Sequence, residues 1–423
     1  MSSATVQPNR QYASNIPKYY VYTAFKGFGF GLFTAMWLIY LQQQRGLTLS
    51  QATLIDVPFW IAAAAGEIPT GIVADLFGRK TSLIIGAGMA GISAISWALA
   101  PTLPLIILAY VFMALGITFL SGAEDALLYE SIQMMGHGED YTRLVGRTGA
   151  LLLGATALGN VVSGLLGSVN LLLPFVGAGL SLIATLVIAL TFYEPRSERK
   201  ADDTPQKSYR QIVRESFSIM RQRPRLRYAI LFLTLIPLAS FMMETFFVQP
   251  QSIALGVSVA GVGVVVMAIQ LTNMLGSTLS DRIRIRLGEN RVFSGAPLII
   301  VVSLVLLAAL QIAPALVFIG LIGFVTAVVH PILLNRIQTE VPDDIRATLL
   351  SVQSLMFTGL FALSEPILGL LADKSGLPTA YLILAGSMGI LSLFLLWKSR
   401  CHLITVTTNA DTLCEESTIP AVA

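Results

Sequence analysis

Charge is what this sequence most lacks. Asp, Glu, Lys and Arg make up 12% of its 423 residues, about half the share of an ordinary soluble protein. So few charges cannot cover the surface of a soluble molecule of this length. Apolar residues reach 55%, or about 63% with the 35 glycines, against roughly 45–50% in soluble domains on the same basis. Cysteine is equally scarce. Cys401 and Cys414 both lie in the polar tail, so neither a disulfide framework nor a thiolate metal site is expected. His137, His330 and His402 are too dispersed to form a metal site. A net charge of +3 spread along the chain gives no footprint for nucleic acid. The first fifteen residues are polar and lack the apolar core of a cleavable signal. There is no G-x-x-x-x-G-K-[ST] loop and no nucleophile–base constellation, so ATP-driven pumping, enzymatic chemistry and a bound cofactor are not expected. Alternating strand-length segments are missing too, which argues against an outer-membrane barrel.

Long apolar runs are what is there. A bilayer-spanning helix needs about 20 mostly apolar residues. Twelve such runs are predicted, over 19–41, 53–76, 82–100, 103–131, 144–167, 172–192, 228–248, 257–279, 293–312, 315–337, 347–372 and 379–397. The expected fold is an all-α membrane protein of twelve transmembrane helices in two six-helix pseudo-repeats. Lys and Arg set its orientation. With the N-terminus in the cytoplasm, 24 of the 27 basic residues fall on the cytoplasmic side; Arg45 and Lys374 fall outside, and Lys26 lies within the first span. Both termini are therefore expected in the cytoplasm.

The polar stretch 194–227 divides the chain into bundles over 1–193 and 228–398, with a tail, 399–423, expected to be disordered. Within the linker, Ser208 and Gln211 have capping-box spacing. Tyr209, Ile212, Val213, Phe217 and Met220 share one face, with Arg210, Arg214 and Arg221 elsewhere. This pattern predicts a helix lying on the anionic leaflet, with a solvated linker as the alternative. An internal repeat supports the division. Asp75 and Asp281 occupy matching places 206 residues apart, and Gly164-Leu-Leu recurs as Gly369-Leu-Leu at 205. Parallel repeats of this kind bind substrate at their interface.

Between the second and third spans stands Gly71-Ile-Val-Ala-Asp75-Leu-Phe-Gly78-Arg79-Lys80. It resembles the G-x-x-x-D-x-x-G-R-K loop of the major facilitator superfamily, with every defining position filled. The stretch Pro342-Asp-Asp-Ile-Arg346-Ala-Thr-Leu-Leu-Ser351 is similar to a second element of that family. Gly71 allows close helix approach, and Gly78 suits a tight turn of positive φ. Asp75 is an anion placed for the positive end of another helix. The resemblance implies that this is the eleventh helix, near Ala347, and that the loop gates the molecule. For Arg79 and Lys80 the alternative to gating is a role in topology alone, and Glu130 is the expected acidic partner of Arg79. Two departures weaken a likeness to the family's drug/proton antiporters. Phe112 stands four residues before Gly116 where an arginine is usual, and the fifth span has glycines at 149, 154, 159 and 164 but no Gly-Pro pair.

Charges at membrane depth are costly and face a cavity or a partner. Lys26 is expected to pair with Glu124 or Asp125 of the fourth span, with Asp125 slightly favoured. Because neighbours on a helix point about 100° apart, only one acid can face the lysine. Glu67, Glu244, His330 and Glu365 are further cavity candidates. The repeat offset matches Glu365 to Asn160 and His330 to Glu124. Desolvation favours a protonated acid and a nearby lysine opposes it, so Glu67 and Glu365 are the better proton carriers. The alternative for each is a fixed ion pair or a hydrogen bond to a helix backbone. The whole predicts a secondary active transporter using alternating access, working as a monomer in the bacterial inner membrane. Its partners are a small-molecule substrate, protons and the bilayer. Proton-coupled export of small amphipathic compounds is favoured over metabolite carriage or passive facilitation, because almost no arginine lies within the spans to hold an anionic substrate.

Overall fold

A computed structural model describes residues 10–135, 141–195, 224–340 and 343–400. The linker helix expected within 194–227 lies almost wholly outside them. Among the described residues, twelve helices are long and apolar enough to cross a membrane. They are α1 Gln11–Gln44, α2 Leu49–Phe77, α3 Arg79–Leu99, α4 Leu103–Met134, α5 Tyr141–Val169, α6 Leu173–Leu190, α7 Ile230–Ala254, α8 Val259–Leu287, α9 Glu289–Ala309, α10 Ala313–Ile337, α11 Leu349–Ser375 and α12 Leu377–Trp397.

Local chemistry sets the starts of these helices. Thr48 and Gln51 form a reciprocal capping box ahead of α2, which satisfies amides that have no partner within the helix. Pro104 and Pro174 stand in the first turns of α4 and α6, where a missing N–H is harmless.

Two helices are not continuous as the sequence predicts. In α4, Gly122 takes φ +71 and the helix restarts at Ala123, because only glycine adopts that conformation without strain. In α1 the regular helix stops at Thr34 and resumes at Trp37, then runs into a π-helical turn at Tyr40–Gln44. A second π turn, Met243–Phe247, lies in α7. Backbone freed from its helix at membrane depth needs partners within the protein. Gln249 of α7 supplies them for α1: its side-chain oxygen accepts from the amides of Leu38 (3.1 Å) and Ile39 (3.3 Å), and its amide donates to Thr34 O (2.9 Å).

Within the first six helices α1 packs on α5 and α6, α3 on α4 and α6, and α2 on α4; within the last six, α8 packs on α10, α9 on α10 and α12, and α7 on α10 and α11. The two sets meet chiefly where α5 crosses α8 and where α2 crosses α11. Glycines make both crossings tight. A Cβ at Gly164 would stand 2.6 Å from the Ala260 carbonyl, and one at Gly369 would stand 2.8 Å from Thr53 Oγ1. The Gly-Leu-Leu repeat thus does the same work twice, allowing backbone-close packing between helices. Gly159 lies likewise against α1, whereas Gly149 and Gly154 face open space.

These contacts seal one end of the bundle. The Asp373 carboxylate of α11 accepts from the amides of Leu49 (2.9 Å) and Ser50 (2.8 Å) at the start of α2. Towards the other end, which carries the Gly78 turn, lie two cavities. A cavity of ≈ 610 Å³ opens between α2 and α11, and another of ≈ 540 Å³ opens among α5, α7, α8 and α10.

Candidate transport site

The Gly78 turn has the geometry its residue types demand. Gly78 takes φ +97 between α2 and α3. The Glu194 carboxylate accepts from the amides of Arg79 (2.7 Å) and Lys80 (2.8 Å), an anion at the positive end of α3. Arg79 Nη2 stands 2.8 Å from Asp75 Oδ1, and its Nε stands 3.7 Å from Glu130 Oε1. The structure therefore brings Arg79 to Glu130 as expected. Asp75, with 56% of its side chain exposed, has Arg79 beside it; the helix end near Ala347 expected to meet it lies among side chains outside those described. Gly71 has open space before it, so in this conformation it supports no close approach. Asp281, Arg284 and Glu289 repeat the arrangement between α8 and α9, at 2.6 and 3.5 Å.

Deeper in the first six helices, Lys26 pairs with Glu124, and the Tyr22 hydroxyl donates to the other oxygen of the same carboxylate at 2.9 Å. The pair is nearly buried, with side-chain exposures of 12% and 13%. Asp125, the slightly favoured partner on sequence, is exposed instead. The break at Gly122 explains the difference, because it sets the rotation of the restarted α4 segment and turns its second residue, Glu124, towards α1. Asn160 is buried in α5, where its amide donates to Gln270 Oε1 of α8 at 2.9 Å.

In the last six helices, Glu244 accepts from Ser240 (2.5 Å) and Asn273 (2.7 Å) and lines the ≈ 540 Å³ cavity, as does His330. Glu67 lines the ≈ 610 Å³ cavity. Glu365 is only 3% exposed, and neither of its carboxylate oxygens has a hydrogen-bond partner. Charge at such a place is expensive.

Two polar residues escaped the sequence reading. Asp56 of α2, 2% exposed, accepts from Trp60 Nε1 at 2.5 Å, and Tyr110 of α4 lies close by. Its signal was an acid among Leu54, Ile55 and Val57, near enough to the start of a span to pass as an end charge. Gln249 carries no charge and gave no comparable signal. Aromatic rings surround the acids: Trp60 stacks edge-on against Phe241 and Phe361 at 5.7 and 5.2 Å between centroids. The rings of Phe33 and Trp37 pack among Trp97, Tyr110 and Phe246 and form core.

A family model for the Major Facilitator Superfamily matches residues 20–364. The chain belongs to that superfamily. Its sequence is 25% identical over 387 residues to the uncharacterized MFS-type transporter YxaM of Bacillus subtilis (strain 168), covering 87% of this chain and 92% of that protein. Among solved structures it resembles a variant of the nucleoside transporter NupG, with a TM-score of 0.76 at 15% identity over 90% of this chain and 98% of that one. A D-xylose–proton symporter matches with a TM-score of 0.70 at 14% identity, over 92% and 98% of the two chains. As a superfamily member the chain is a multi-pass membrane transporter of small molecules and not an enzyme.

Proposed function

We propose that this transporter exports small amphipathic molecules, neutral or cationic, in exchange for protons across the bacterial inner membrane. One observation carries the reading. The described residues lining the two cavities include Glu67 and Glu244 with aromatic and aliphatic side chains, and no lysine or arginine. Lys26, the basic residue at membrane depth, is already paired with Glu124. Such a site attracts cations and rejects anions, and its apolar walls take the hydrophobic body of a ligand.

The two bundles, 1–193 and 228–398, rock around this site as a functional monomer, with 194–227 as the joining segment. The end bearing the Gly78 turn is cytoplasmic on the charge asymmetry of the loops, so the conformation described here is open to the cytoplasm. Asp75, Arg79 and Glu130 reorganise at that end when it closes. Glu67 and Glu365 are the proposed proton carriers. A second reading, proton-driven uptake of a hydroxyl-rich metabolite, is favoured by the amides of Asn160, Gln270 and Asn273 near the cavity; it also accords with the likeness to NupG and the xylose symporter.

The two readings separate in an efflux-deficient bacterial host given ethidium and a panel of antibiotics, with and without a protonophore. Cells expressing the transporter are expected to hold less probe, and the difference should vanish with protonophore and in an Asp75→Asn variant present at equal level. Unchanged accumulation across the panel would sink export. Energised uptake of a nucleoside or sugar in the same cells would establish the second reading.

A further inference from the structure

Asp56 and Glu365 are buried acids contributed by different halves of the molecule. Packing at the α2–α11 crossing sets them opposite each other. The two helices run antiparallel there: Gly369 lies against Thr53 and Ser50, and the Phe361 ring lies 5.2 Å from the Trp60 ring. Glu365 falls midway between Phe361 and Gly369, and Asp56 falls one helical turn after Thr53 and one before Trp60. The two carboxyls accordingly sit within electrostatic reach of one another.

The groups around them are few. Asp56 has Trp60 as its hydrogen-bond partner, and Tyr110 of α4 is near enough to both carboxyls to feel their charge. Asp373, two turns along α11, is engaged with the start of α2. Among the described residues, no lysine, arginine or histidine forms an ion pair with either carboxyl. The pseudo-equivalent crossing is different in kind. Asn160, the repeat counterpart of Glu365, lies at the α5–α8 contact and is hydrogen-bonded to Gln270. One seam is joined by neutral amides, whereas the other buries Asp56 and Glu365 with no basic side chain paired to either among the described residues.

We infer that Asp56 and Glu365 form a carboxyl pair that holds one proton across the α2–α11 crossing, and that losing this proton unseals the end of the bundle opposite the Gly78 turn. With one proton held between them, only one of the two acids carries charge and the helices stay packed. With none, two like charges stand unsolvated across a seam, and parting the helices admits water to both. The released proton leaves to water past Trp60, which touches Asp56 and also lines the ≈ 610 Å³ cavity. The inference rests on the proton-coupled reading above and adds Asp56, and a mechanical consequence, to it.

Spin labels test this without any substrate. Gln44→Cys and Ser375→Cys place exposed labels on either side of the sealed end, in full-length protein whose Cys401 and Cys414 are replaced by serine. The inter-label distance in lipid nanodiscs, read by double electron–electron resonance, is expected to be short at low pH and to acquire a longer population as pH rises. In the Asp56→Asn/Glu365→Gln double variant the distance distribution should be the same at every pH, and in Asn160→Ala the pH response should persist. Distances that ignore pH in the unaltered background, or that still respond in the double variant, would overturn the pair. So would a change driven by sodium at fixed pH. A seam that responds to pH in protein that moves no ethidium would uphold the pair and overturn only the export reading.

Discussion

Glu365→Gln is expected to abolish proton-driven accumulation of ethidium in proteoliposomes while sparing ethidium exchange at equal pH on both sides. The substitution preserves shape and adds hydrogen-bond donors, but it removes the one function a carboxyl offers at a site where its oxygens are buried and unpartnered. Exchange requires only that loaded protein change conformation, whereas accumulation requires a proton to bind on one side and leave on the other. The ratio of the two rates therefore reports coupling and cancels differences in reconstitution. Accumulation at the unaltered level in the Gln variant would clear Glu365 of the carrier role and pass it to Glu67, which lines the open cavity.

The second large effect is on stability. Lys26→Met leaves the Glu124 carboxylate without its cation in a site where both side chains are nearly buried. Removing one member of such a pair typically costs about 3–5 kcal/mol, whereas replacing both members is often neutral. Lys26→Met is thus expected to lower the unfolding temperature in detergent sharply. The double variant Lys26→Met/Glu124→Gln should recover most of the loss, since the new amide oxygen can still accept from Tyr22. A double variant as unstable as the single one would show that Lys26 acts through packing rather than through charge.

Much of this architecture is legible in the sequence because membrane burial writes itself into composition. A span must satisfy its backbone internally and present apolar side chains to lipid, so twelve runs read as twelve helices. The Gly78 turn is equally plain, since φ +97 needs glycine, and Arg79 finds Glu130 because both lie near the same helix ends. What resisted reading depends on rotation and register between distant helices. Spacing left Glu124 and Asp125 as alternatives, and the kink at Gly122 decided between them by fixing which face of the restarted helix meets α1. Asp56 becomes significant only once α11, some three hundred residues away, is laid antiparallel on α2. Gln249 has a purpose only because α1 breaks beside it, and that break has no glycine or proline to announce it.

On the proposed function, an amphipathic substrate such as ethidium and a proton move in opposite directions through this chain. Proteoliposomes loaded with a pH-sensitive dye and made acidic inside test it directly. Adding ethidium outside is expected to raise the internal pH in vesicles containing the protein and not in empty ones, as each probe molecule that enters releases protons. Entry of ethidium with no change in internal pH would contradict the account and leave a passive facilitator in its place.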